Sequence, residues 1–210
     1  VTSPSPMRRP RRDAAANRAG LLTAAAQTLA TDPGASVDTI ARAAGLSRRA
    51  LYGHFDDRDA LLRELIATGA QRFNDIAEQS ADPSSPAPVA LARLAARLWT
   101  EASHVQVAAA IALDERHVAE SAAALAPLRR TVMNLVRRGQ DDGSLRTDVA
   151  APTLARLIEE TARTVIVRLD ASSPEAGSLA VRAVLSIAGL SWREAETLVG
   201  AHPDILGEAA

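Results

Sequence analysis

The sequence predicts an all-α protein of 210 residues. Two observations point there. Hydrophobic residues make up 47% but aromatics only 2%, so alanine, leucine and valine must build the core, and strands favour β-branched and aromatic residues instead. Apolar residues also recur at helical spacing in one segment after another.

Residues 1–12, VTSPSPMRRPRR, carry prolines and arginines with almost nothing to bury, so a disordered basic arm is expected. A first helix should run from Asp13 to Ala30, with Leu21, Leu22, Ala25, Ala26 and Leu29 on one stripe, ending at Thr31-Asp32-Pro33-Gly34. Ser36 reads as the N-cap of a helix from Val37 to Ala44, with Asp38 placed well against its dipole. Gly45 stops that helix, and Ser47 caps a third from Arg48 to His54. A fourth should start at Asp57–Asp59 and reach Gln79, before a loop over residues 80–88.

Beyond the loop, Leu91, Leu94, Ala95 and Leu98 mark a helix ending near Ser103, followed by a short one at Val105–Leu113. A longer helix carries Leu125, Leu128, Val132, Leu135 and Val136, with Gly143 as its C-cap residue. Pro152–Leu169 is apolar beyond one stripe, and Ser173-Pro174 suggests a cap and first-turn proline for a helix reaching Leu190 that is apolar nearly all round. Such a helix must be covered on two sides. Ser191-Trp192-Arg193-Glu194 fits a capping box opening a terminal helix.

Cysteine is absent, which excludes disulfides and thiolate chemistry. None of the four histidines, His54, His104, His117 and His202, belongs to a metal motif, and there is no nucleophile elbow or glycine-rich phosphate loop. Neither catalytic residues, nor a metal, nor a cofactor is expected. With no spanning apolar run and no signal-like start, a soluble cytoplasmic protein is expected. The net charge of −1 is uneven: residues 1–55 hold eight Arg against three Asp, and the rest sixteen Arg against twenty-two acids. A basic head on an acidic body suits nucleic acid held at one end.

The most informative stretch is Ser36–Phe55, SVDTIARAAGLSRRALYGHF: two short helices joined by Ala44-Gly45-Leu46, where glycine can turn left-handed. Val37, Ile40, Leu46 and Leu51 would pack the pair against helix one. Arg48 and Arg49 then stand at the N-terminal end of the second helix, the end that meets base edges in a helix-turn-helix. The run Ile40-Ala41-x-x-Ala44-Gly45-Leu46-Ser47, with Leu51-Tyr52-x-His54-Phe55 and Arg58-x-x-Leu61, resembles the TetR family of bacterial transcriptional regulators.

The resemblance implies an N-terminal three-helix DNA-binding head, residues 13–56, and a larger helical body, residues 57–210, for effector binding and dimerisation. It places Tyr52 and His54 on phosphates, Phe55 in the head's core, and Arg58, where the family has lysine, on the DNA backbone. Ser36, Thr39, Ser47, Arg48 and Arg49 complete the expected DNA-facing set. Arg49-Ala50 stands where the family often has Gly-Thr. The arm arginines Arg8, Arg9, Arg11 and Arg12 either touch DNA or are idle.

Further on, Arg138-Gly139-Gln140-x-x-Gly143-x-Leu145-Arg146-x-Asp148-Val149 resembles the loop before the family's dimerisation helix. The implied function is a ligand-released repressor, a homodimer on a palindromic operator, sealed by the two long C-terminal helices. Ala183, Ser186, Ala188 and Gly189 would permit close approach there. Trp99, His104, His117 and Arg163 are the candidates for binding a small apolar or amphipathic effector. Singly, Trp99 also reads as core filler, and Glu159 with Arg163 as a surface i, i+4 pair. The alternative is a helix-turn-helix dimer governed by a partner protein, or constitutive; a more distant one is an enzyme.

Overall fold

The computed structural model describes residues 9–80, 82–104 and 118–207, with side chains from 18 onward in those ranges except at 104 and 118. Among them are ten α-helices: α1 Arg9–Thr31, α2 Val37–Ala43, α3 Arg48–Tyr52, α4 Arg58–Gln79, α5 Ala87–His104, α6 Val118–Ala124, α7 Ala126–Asp141, α8 Ala151–Arg168, α9 Ala176–Ala188 and α10 Trp192–Ala201. A 3-10 turn, Pro203–Leu206, follows, and the described residues include no strand. The chain divides into two compact units, Val1–Ile66 and Ala67–Ala210.

Two helices start earlier than their prolines suggested. α1 begins at Arg9, so Arg9, Arg11 and Arg12 are helical rather than part of an arm, while Arg8 lies outside the described residues. α5 begins at Ala87, inside the expected loop. Pro10 and Pro88 each sit at the second helical position, where a missing N–H costs nothing because first-turn donors have no intrahelical partner. The opposite happens at Ser173-Pro174. The Asp170 carboxylate takes the Ser172 N–H and hydroxyl, closing a turn, and α9 starts only at Ala176.

In the first unit Leu21, Ala25 and Leu29 of α1, Ile40 and Ala41 of α2, Leu51 of α3 and Phe55 are buried. Val37 and Leu46, expected in that core, are only half-buried. The unit extends to Ile66 rather than stopping at Asp56, because the first turns of α4 belong to its interior. Leu61 and Leu62 are buried there, and the Asp57 carboxylate caps the helix by accepting the Ala60 N–H.

In the second unit α9 is the central helix. Val184 and Ala188 join Leu91, Leu94, Val132, Val136, Leu154 and Ile158 in the main core. Val181 and Leu185 face a second cluster with Ala92, Ala195 and Ile205, from α5, α10 and the 3-10 turn. The chain's own C-terminal segment thus covers the second side of this apolar helix. Ala188 is buried, whereas Ser186 and Gly189 remain exposed, although a Cβ added at Gly189 would meet Arg146.

The expected capping box is present: Ser191 Oγ accepts the Glu194 N–H and Glu194 returns a bond to the Ser191 N–H. Leu125 falls just outside α7, at a break from α6 without a side-chain cap. Asn74 of α4 supplies the missing partners, donating to the Ala124 carbonyl and accepting the Leu128 N–H.

The segment Arg138–Val149 works as a clasp. Arg138 donates to the carbonyls of Asp82, Pro83 and Ser85, Gln140 to those of Arg146 and Val149. Gly143 takes φ +72°, bringing Leu145 back onto Gly139, and the Arg146 N–H reaches the Ala188 carbonyl at the end of α9. The residues that carry the resemblance here are those that hold three helices at one corner.

Candidate nucleic-acid interface

The helix-turn-helix is assembled by short-range bonds. Ser36 Oγ accepts the Thr39 N–H at 3.2 Å and lies 3.0 Å from the Thr39 hydroxyl, so both side chains serve the start of α2. Gly45 adopts φ +70°, the conformation expected of it, and the Leu46 N–H closes on the Ala41 carbonyl. Ser47 Oγ then accepts the Ala50 N–H and opens α3. α3 ends at Tyr52 rather than His54, the chain tightening there so that the His54 N–H reaches the Leu51 carbonyl three residues back.

Along α3 the side chains differ in what already occupies them. Arg48 is bonded to Asp38 of α2 at 3.1 Å, and its guanidinium carbon stands 5.5 Å from the Tyr52 ring centroid. These contacts raise its pKa, the Tyr52 side chain contributing most and Asp38 next. Arg49 is exposed, with no ion-pair partner among the described residues. Tyr52 is 41% exposed although aromatic, so it fills no core. His54 is half-buried. Arg58 turns onto the loop before α2, donating to the Pro33 and Ala35 carbonyls at 3.0 and 3.4 Å. The structure thus brings Ser36, Thr39, Ser47, Arg48, Arg49 and Tyr52 together on α2, α3 and their caps, and sets Arg58 against the turn that feeds them.

Sequence reasoning missed Arg18. It forms a two-pronged bridge to Glu64 at 3.0 Å on each oxygen, donates to the His54 carbonyl at 2.8 Å, and stacks 4.5 Å from the Phe55 ring centroid. One side chain of α1 thereby fixes both the end of α3 and the start of α4. The hydrogen bonds from Arg18 hold the Glu64 carboxyl below its usual range. No spacing rule links positions that far apart, so nothing in the local pattern signals this contact.

In the body, Trp99 is buried against Ala176 and Ala180. It also lines an open cleft of about 320 Å³ with Ile76, Gly177, Ile205 and Leu206, rimmed by Arg97, Glu101 and Asp204. Arg163 is not among its walls. It lies near Glu160 at 3.8 Å, while Glu159 pairs with Arg129 of α7 at 3.0 Å, so the anticipated Glu159–Arg163 pair gives way to a bridge between helices. Burial pushes the Glu159 carboxyl upward, with Arg129 opposing. The side chain of His104, all of His117 and the short helix expected at 105–113 lie outside the described residues. No helix among the described residues is long and apolar enough to cross a membrane.

A helix-turn-helix head, followed in the chain by an all-helical unit, defines a DNA-binding transcriptional regulator. Residues 21–65 match the family described as bacterial regulatory proteins, tetR family. Solved structures share the fold. The TetR family transcriptional regulator PfmR from Thermus thermophilus is 21% identical, with a TM-score of 0.68 over 81% of this chain and 98% of its own. AmtR of Mycobacterium smegmatis is 19% identical, with a TM-score of 0.65 over 97% and 98%. FadR of Bacillus subtilis, solved with stearoyl-CoA, is 13% identical, with a TM-score of 0.70 over 81% and 97%. No curated protein matches the chain.

Proposed function

We propose that this regulator is a ligand-released repressor that binds a palindromic operator as a homodimer. The observation that carries the DNA reading is the N-terminal end of α3. It presents Arg49, exposed and without an ion-pair partner among the described residues, beside Arg48 on a helix whose frame is fixed by two serine caps and a left-handed glycine. In the major groove Arg49 can offer two hydrogen bonds to guanine. Tyr52, with Ser36, Thr39, Ser47, His54 and Arg58, falls to the phosphates on either side. The unit to Ile66 is the DNA-binding domain, and the rest is the domain for dimerisation and effector binding.

The homodimer reading draws on Leu157 and Val167 of α8 and Leu179 of α9, which are 40–49% exposed on the two C-terminal long helices. The cleft beside Trp99 is at the small end of ligand sites, which are mainly apolar with a few placed polar groups. It suits an amphipathic molecule with one hydrogen-bonding end, and such a ligand acts only through different affinities for two arrangements of the dimer. The stearoyl-CoA bound by FadR is of that general chemistry.

The test begins with a duplex selected by the wild-type protein from a random-sequence pool. Arg49→Ala should weaken its binding by about 1–3 kcal/mol and relax one base preference. Tyr52→Phe should weaken selected and scrambled duplexes alike. Unchanged affinity in both variants, at fixed salt and with an intact fold, removes α3 from the groove.

A further inference from the structure

The two arginines that open α3 are adjacent in sequence but electrostatically unlike. Arg49 is unpaired among the described residues. Arg48 is held from two sides, by Asp38 of the preceding helix at 3.1 Å and by the Tyr52 ring. The carboxylate meets it through Oδ2 alone, since Oδ1 is shut off from solvent with no hydrogen-bond partner among the described residues. Asp38 is therefore more than a first-turn acid answering the α2 dipole.

We propose that Asp38 is a positioning residue for DNA discrimination: it neutralises and orients Arg48, so that sequence-independent attraction to phosphate is curbed and base choice rests on Arg49. This rests on the DNA-binding reading above. The physical argument has two parts. An arginine free to swing finds a phosphate on any duplex, and each such contact adds about 0.9 to the slope of log affinity against log salt. An arginine already paired with a carboxylate contributes little of that slope. Discrimination is a difference of affinities, so subtracting from the indiscriminate member raises it. The second part is conformational. A guanidinium fixed between Asp38 and Tyr52 is ordered before DNA arrives, so a docked complex does not have to order it.

The experiment compares wild type, Asp38→Asn, Asp38→Glu, Arg48→Ala and the Asp38→Asn/Arg48→Ala double variant. Each is titrated onto the selected duplex and a scrambled duplex of equal length, across a salt series. Asp38→Asn should bind the scrambled duplex about three- to tenfold more tightly, with a salt slope steeper by about one. Its preference for the selected duplex should fall by a similar factor. Asp38→Glu should restore wild-type behaviour, and Arg48→Ala in the Asp38→Asn background should cancel the gain. A structural defect lowers affinity and does not steepen the slope, and thermal melting of each variant registers it separately. If wild type selects and binds a duplex while Asp38→Asn changes neither slope nor preference, Asp38 has no such role. If wild type binds neither duplex, the DNA-binding reading falls, and this one with it.

Discussion

Replacing Gly139 by alanine puts the clasp to a quantitative test, because two known effects oppose each other there. Glycine inside a helix costs about 1 kcal/mol relative to alanine, so Gly→Ala normally stabilises. At Gly139, however, a Cβ would lie 2.4 Å from Leu145 Cγ, 2.6 Å from its Cδ1 and 3.0 Å from Ala87 Cβ on α5. Carbon atoms rest about 3.5–4.0 Å apart, so something must move by about 1 Å. Leu145 cannot swing into solvent, being 3% exposed, and its N–H is bonded to the Gly139 carbonyl at 2.8 Å.

Overpacking of this kind costs about 1–3 kcal/mol, and after the helix gain a net loss of about 0–2 kcal/mol remains. Gly69 of α4 is the matched control, in the same unit, with nothing within 4 Å of its would-be Cβ. Gly69→Ala should raise the melting midpoint by about 1–4 °C and Gly139→Ala lower it by up to about 8 °C, read by circular dichroism at 222 nm. Equal stabilisation by both would show that α7 and Leu145 do not approach as closely as described.

Arg18→Ala should destabilise the head by more than its ion pair alone, since a partly exposed bridge is worth about 0.5–1 kcal/mol and the bond to the His54 carbonyl and the Phe55 stack go with it. Native-state hydrogen exchange at α3 should rise, and exchange unchanged from wild type refutes the role. Glu64 has a depressed pKa when folded, so its contribution is complete above the unfolded carboxylate value of about 4.3 and is lost as pH falls through the folded value. The acid limb of head stability should therefore flatten in Glu64→Gln, as followed by urea midpoints between pH 6 and pH 3. In the body, Leu179→Asp should yield folded monomers by sedimentation, whereas Val184→Asp, at a position 3% exposed, should unfold the unit. A folded Val184→Asp protein, or a Leu179→Asp dimer, overturns the assignment of these faces.

What could be read in advance was local. Caps such as Ser36, Ser47 and Ser191, the left-handed Gly45 and Gly143, and the stripes of α1 and α7 all depend on residues within about a turn of one another. Periodicity also showed that α9 needs covering on two sides, but could not say by what. The covering residues are Ala195 and Ile205, on the segment that follows α9. Prolines misled because the same residue breaks a helix interior and opens a first turn, and only its position within the finished helix distinguishes the two.

Charged side chains were the least legible for a further reason: their partners are chosen by tertiary proximity. Glu159 passed over Arg163 on its own helix for Arg129 on another, and Arg18 found Glu64 across the head. The same holds at the proposed DNA face. Spacing presented Arg48 and Arg49 as a pair of equivalent cations, and family likeness gave them a shared location. Only the packing of α2 against α3 puts Asp38 within 3.1 Å of one and leaves the other, equally exposed, without an ion-pair partner among the described residues. A contact motif read from sequence therefore specifies which residues reach the partner's side of the molecule. How much of each charge remains for the partner depends on neighbours within the protein, and among the described residues of this head those neighbours divide two adjacent arginines into one paired and one unpaired.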